Sequence, residues 1–310
     1  MRKICLFFLL TFLICGIAQG QETAPEKTPV IETAHLNSGR EMPLLGVNVS
    51  AVTAIQAENT VYAALAEGFR LIDVSGSSGN EEAVGRAVRR AIDEKLVTRE
   101  EIFLCAGILQ DETDAEAEPD DEKSDALVAG SLELLGVDYL DLMILRQNRY
   151  DQDLSAWKAM ERAAENGKIR SLGLSGFTDI RNYDLFLNNA VTRQPDVLQI
   201  PVHPYQQRTD MRKHLAGSGV VLMTEYPLGG EKEEQVLFAD PVISTNATWY
   251  SKTSEQVILR WQYQTGTIAV PTVLDEFQID EYYHIFDFEL SEKEISEING
   301  LDRSEEQIFW

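Results

Sequence analysis

Asp73 stands in the run Leu71-Ile72-Asp73-Val74, a carboxylate inside an apolar stretch short enough to be one buried strand. Burying a charge is costly unless something pairs with it. Asp73 therefore reads either as part of a structural ion pair or cap, or as an active-site group at a strand's carboxyl end. The residues after it suit both. Ser75 to Gly79 make a Gly/Ser turn, and Asn80-Glu81-Glu82 opens a helix, with Asn80 as N-cap and the glutamates at the positive end of the dipole. Other residues offer less. His35, His203, His214 and His284 lack the spacing of metal ligands, and His203, in the phrase His-Pro-Tyr, reads as a packed, hydrogen-bonded ring. Cys105 reads as a buried apolar filler rather than a reactive thiol.

The elements that must hold Asp73 alternate along the chain. Apolar runs at 44–49, 71–74, 102–105, 141–145, 171–174, 197–202, 220–224 and 268–271 are strand-like. Helical patterns fall between them at 54–66, 81–95, 125–135, 154–166, 181–189, 208–216, 254–263 and 275–285. Eight strand–helix pairs predict a parallel sheet closed into a (β/α)8 TIM barrel, α/β in class. Asn37-Ser38-Gly39 marks the turn of a hairpin ahead of it. Residues 111–124, acidic and low in complexity, read as a solvated loop, and 228–253 as a long connection on the binding face. Ser291 and Glu294 have capping-box spacing. Trp157 and Trp261 read as core, whereas Trp249, Tyr250 and Trp310 pack or line a pocket.

Composition bounds the rest. With 310 residues and 44% hydrophobic content, residues 33–310 can form one large domain. Arg2-Lys3 followed by an apolar run from Ile4 to Ile17 and by Ala18-Gln19-Gly20 reads as a cleaved signal peptide over 1–20, too short to span a membrane. Residues 21–32 read as a polar linker. The expected location is secreted, periplasmic or in the ER lumen. Cleavage leaves Cys105 alone, so no internal disulfide is expected. Asn48-Val49-Ser50 and Asn246-Ala247-Thr248 fit the glycosylation sequon, the first in a segment that reads as buried. The formal charge of −24, or −26 without Arg2 and Lys3, argues against nucleic acid, anionic membranes and polyanionic cofactors.

The phrases HLNSGREMPLLGV, GFRLIDVSGSSGNEEAVG, LELLGVDYLDLMIL, AWKAMERAAENGKIRSLGLSGF, LQIPVHPYQQ, EYPLGG, QVILRWQYQTGTIAVPT and FDFELSEKEISEINGLDR come in the order of the aldo-keto reductase family. The chain resembles that family along nearly its whole length after residue 32. The resemblance implies hydride transfer from a nicotinamide cofactor to a carbonyl, through a tyrosine acid, a lysine that tunes it, an aspartate paired with the lysine and a histidine that orients the carbonyl. Of these positions only the aspartate is kept, as Asp73. The tyrosine position is Ser78, the lysine position Gly107 and the histidine position Arg146.

The family's cofactor positions are also altered. The Ser-Asn pair for the carboxamide is Ser175-Gly176, and the strand-six glutamine is kept as Gln199. The tyrosine that stacks on the nicotinamide falls at Glu225, beside Tyr226. The cations that grip the adenosine phosphate fall at Thr272 and Gln278. Ser175 and Gln199 are read as remnants, and no cofactor is expected. Two readings follow: a catalytically degenerate barrel binding a small molecule or a protein at its mouth, or an enzyme, either an NAD(P)H-dependent oxidoreductase with an altered site or one with a new activity built on Asp73, Arg146 and Glu225. With the lysine lost, Arg146 is expected to pair with Asp73, directly or through one water.

Overall fold

The computed structural model describes residues 31–76, 79–108, 120–190, 192–230 and 234–303. A hairpin of β1 (Thr33–His35) and β2 (Glu41–Pro43) comes first, Thr33 opposite Pro43. Its turn closes as the sequence predicts: the Gly39 amide donates to the Leu36 carbonyl (2.8 Å), and Gly39 adopts the positive φ that glycine tolerates. Alternation then sets in, through β3 (Gly46–Asn48), α1 (Ala54–Glu67), β4 (Leu71–Val74), α2 (Glu81–Asp93), β5 (Phe103–Ile108), α3 (Asp121–Leu135), β6 (Leu140–Arg146) and α4 (Tyr150–Glu165). It continues with β7 (Ile169–Ser175), α5 (Ile180–Ala190), β8 (Val197–Ile200), α6 (Thr209–Leu215), β9 (Val221–Thr224), α7 (Glu234–Phe238), α8 (Pro241–Tyr250), α9 (Ser254–Gln264), β10 (Ile268–Ala269), α10 (Glu276–Tyr283) and α11 (Glu292–Asn299).

Strands β3 to β10 form one parallel sheet in sequence order. Its edges meet. Ala269 donates to the Leu44 carbonyl (2.9 Å), Asn48 to that of Pro271 (2.9 Å) and Val273 to that of Asn48 (3.1 Å), so β3 and β10 close the expected (β/α)8 barrel. The strands are apolar runs because both faces are covered, the inner by the barrel core and the outer by helices. β4 and β5 are buried at every position. Trp157 and Trp261 are buried as expected, and Trp249 is exposed.

Helix ends follow their local chemistry, with one departure at α2. Thr53 with Gln56, Thr253 with Gln256 and Ser291 with Glu294 form capping boxes. Asn80 does not cap α2; its amide donates instead to the carbonyls of Val49 and Val52 (both 2.8 Å), tying α2 to the loop after β3. Helix α3 begins within the stretch read as an acidic loop, because the Asp120 carboxylate caps it by accepting from the Lys123 amide (3.0 Å). The connection expected over 228–253 contains α7 and α8; Asp240 caps α8 and Pro241 takes its first position, where a missing N–H costs nothing. The proposed signal peptide, most of the linker, residues 109–119 and Trp310 lie outside the described residues.

Candidate active site

Asp73 sits at the carboxyl end of β4, inside the barrel and fully buried. Three donors surround it. Asn48 Nδ2 donates to Oδ2 (2.8 Å), the Ser75 amide to Oδ1 (2.9 Å) and Gln199 Nε2 to Oδ2 (3.3 Å). Burial pushes its carboxyl above the ordinary range against the pull of the Ser75 and Asn48 bonds, and the charge on Glu225 adds to the rise.

The expected Asp73–Arg146 ion pair is not formed. Arg146 pairs with Glu225, across β7 and β8. The strand register explains why. Asp73 is level with Cys105 on β5, and Cys105 with Leu142 on β6. Arg146 lies four residues further along β6, roughly 13 Å at about 3.3 Å per residue. Asp73 lies deep in the barrel, whereas Arg146 is exposed at its rim. Sequence reasoning overlooked Asn48, although it faces Asp73 in the register of β3 and β4.

Two of the other positions at which the resemblance expects the family's catalytic groups stand as follows. Ser78 lies outside the described residues. Gly107 is packed against the chain itself: a Cβ built there would overlap the Ser75 carbonyl oxygen and come within 3.0 Å of its carbon. Any side chain at this position requires the Ser75 backbone to move.

A dinucleotide needs free donors and positive charge at the cofactor positions. Ser175 Oγ is buried with no hydrogen-bond partner, and Gln199 is committed to Asp73 and to Ser75 Oγ (3.3 Å). Thr272 bridges to Asn48. Gln278 Oε1 accepts from the Leu274 amide (2.8 Å). The amides of Phe277 and Gln278 at the start of α10, groups that suit an anion, already donate to Asp275 Oδ1 (3.0 and 3.1 Å). Nearby, burial and the charges of Glu255, Glu281, Glu234 and Asp275 push the Tyr282 phenol upward. These residues do not fit a phosphate: the amides are taken and the surrounding charge is negative.

Three further residues complete the picture. Burial, with the charges of Asp73 and Asp141, pushes the Cys105 thiol well above its usual range, so it is an inert filler. His203 is packed as expected but not hydrogen-bonded; neither ring nitrogen has a partner, and burial lowers its pKa to about 4. Asn246 Nδ2 donates to the Val242 carbonyl (2.9 Å) within α8. Among the described residues, no helix is long and apolar enough to cross a membrane.

Comparison with known proteins bears on this geometry. The sequence pattern of the Aldo/keto reductase family matches residues 42–303. The chain is 32% identical to the glyoxal reductase of Bacillus subtilis (strain 168) over 279 residues, 90% of this chain and 95% of that one. It is 30% identical to the NAD(P)H-dependent D-xylose reductase I,II of Candida tropicalis, over 89% of this chain and 94% of that one. A Bombyx mori aldo-keto reductase solved in complex with NADP superposes with a TM-score of 0.77 at 25% identity, over 89% of this chain and 94% of that one.

Proposed function

The chain belongs to the aldo/keto reductase family, and we propose that in it the barrel has given up conventional carbonyl reduction and binds a small ligand or a partner protein at its mouth. The observation that carries this reading is the close approach at Gly107. The position of the tuning lysine not only lacks a side chain but is filled by the Ser75 carbonyl. Without that lysine, a serine hydroxyl at position 78 has too high a pKa to act as a proton donor at neutral pH. The Asp275 cap and the carboxylates around Tyr282 support the same conclusion for the dinucleotide.

A second reading has its own support. Relatives matched over nearly their full length are named reductases of glyoxal and D-xylose, and on likeness alone an NAD(P)H-dependent reductase with an altered site is the better backed of the two. Under it, Tyr226, half-exposed beside Glu225, is the phenol to test as proton donor.

Titration of the protein with NADPH, followed by thermal unfolding, separates the readings. Ligand at a hundred times its dissociation constant adds about 2.7 kcal/mol to stability. The first reading expects no rise in melting temperature and no NADPH consumption with glyoxal or D-xylose. A clear rise, or turnover lost in Tyr226→Phe, establishes the second. For location, we propose that residues 1–20 direct export and are then removed. The basic pair, the apolar run and the small residues at 18 and 20 support this. Mass spectrometry of the N-terminus should find Gln21 first; an intact Met1 would refute it.

A further inference from the structure

A cleft of about 600 Å³ opens at the end of the barrel opposite the mouth. Its walls are the hairpin of β1 and β2 and the residues that open β4 to β7. Three arginines converge on it: Arg40 just before β2, Arg70 just before β4 and Arg170 at the start of β7. In a chain of formal charge −24, that gathering of cations needs a reason. Small-molecule sites run from about 300 to about 1,000 Å³, so the space suits one.

Most of the carboxylates lining the cleft are already engaged. Glu41 accepts from Thr33 Oγ1 and pairs with His35 (both 2.7 Å), and Glu101 accepts from the Thr98 amide (2.7 Å). Asp141 holds Arg99 (2.8 Å), Arg170 (3.2 Å) and the Leu104 amide (3.1 Å). Glu100 is exposed and, among the described residues, has no partner. The arginines keep donors in hand, since a guanidinium carries N–H groups on every nitrogen. Arg70 commits Nη1 to the carbonyls of Leu65 (3.0 Å) and Phe69 (2.8 Å), which fixes the group and leaves its Nε and Nη2 edge. Arg170 is held through Nη1 by Asp141 and lies over the Tyr139 ring, 3.4 Å from the centroid, leaving the same edge. Arg40 is exposed and, among the described residues, has no carboxylate partner. The Glu101 carboxyl, held below the ordinary range chiefly by its Thr98 bonds, also feels the Arg70 charge without an ion pair forming. What the cleft lacks is an acceptor, and two of its three cations are fixed in advance, which lowers the cost of binding one.

We propose that this cleft binds a small organic acid, whose carboxylate meets the uncommitted N–H groups of these arginines while its apolar body lies on Pro43, Ile102 and Phe103, which line the same space. The Nε and Nη2 edge of a guanidinium is a two-pronged donor that matches a carboxylate. Glu100 in the same wall repels a doubly charged phosphate more than a singly charged acid. The cleft lies at the amino ends of the strands, whereas barrel chemistry sits at their carboxyl ends, so the inference holds under either reading of the mouth.

The probe is 2-naphthoate, titrated into the chain by isothermal calorimetry. 2-Naphthylmethanol, which lacks the charge, and acetate, which lacks the apolar body, serve as controls. The cleft predicts saturable binding of 2-naphthoate that exceeds both controls and falls at least about tenfold in Arg70→Lys, which keeps the charge but loses the two-pronged edge. Arg40→Gln should weaken binding too, as should high salt, and Glu100→Gln should strengthen it by removing the competing carboxylate. Arg40 is exposed, so an unchanged melting temperature in Arg40→Gln will show that this variant folds even where Arg70→Lys loosens the turn before β4. Equal binding of either control, affinity unmoved by both arginine variants, or no binding of 2-naphthoate at all would each overturn the inference. Affinity lost in Arg146→Gln instead, or displacement of the probe by NADPH, would seat the acid at the mouth and overturn it as well.

Discussion

Acidification should destabilise this barrel through His203, and the size of the effect follows from its surroundings. The ring lies wholly out of solvent, with both nitrogens unpartnered. Burial lowers its pKa from 6.5 to about 4, the nearby Arg208 charge lowering it further and Asp302 opposing. The folded state thus holds the imidazole neutral where the unfolded chain would take a proton. Stability from this group is complete above the unfolded value near 6.5 and is lost as pH falls through about 4. Lowering the pKa from 6.5 to about 4 corresponds to about 3 kcal/mol, a large part of a typical folding free energy. Urea unfolding at intervals from pH 7.5 to 4, on the parent and on His203→Phe, measures it. The difference between the two curves removes titrations common to both, including the carboxylates. The variant should lose about 3 kcal/mol less than the parent across that window. At pH 7.5 it should be near neutral, since replacing unpartnered polar atoms by a ring of similar shape leaves no new group unsatisfied. Parallel curves for parent and variant would show that the ring titrates normally, and the argument from burial would fail.

Three further outcomes are expected. Gly107→Ala should cost about 1–3 kcal/mol in urea unfolding, because its Cβ must displace the Ser75 carbonyl; for the same reason Ser78→Tyr, Gly107→Lys and Arg146→His combined should not restore NADPH-dependent turnover. The Asp73 carboxyl, followed by carbon-13 NMR, should titrate above the ordinary carboxylate range, and Glu225→Gln should lower it by removing a nearby negative charge; stability carried by the raised value is greatest in acid and lost as pH rises, opposite in sign to that of His203. Expression in a glycosylating host should leave Asn246 unmodified by mass spectrometry, because its amide is bonded to Val242 within α8 and buried.

The fold was legible because strand and helix patterns alternate with regular spacing and because most helix caps are local chemistry. What the pattern hid was set by partners distant in sequence. Asn80 has the composition of an N-cap, yet two carbonyls of the preceding loop claim its amide. At the site, residue types were readable but heights were not. Whether Arg146 meets Asp73 or Glu225 depends on how far each stands along its strand, which the ladder fixes and the linear sequence does not. Likewise, Gly107 reads as an absent lysine, and only the fold reveals that backbone fills the space.

The contacts of Asp73 hold it in place without any need for hydride transfer. Its carboxylate gathers a side chain from the end of β3, the amide that turns the chain out of β4, and a glutamine from β8 on another part of the barrel wall. Removing it would leave the Asn48 and Gln199 amides without this acceptor in a water-excluded interior, a penalty of about 1–3 kcal/mol for each group stranded. The lysine position is under no such constraint. Once the Ser75 carbonyl rests against Gly107, reintroducing a side chain must first open the backbone. An acceptor shared by three donors resists substitution, while a glycine closed over by its neighbour resists reversion.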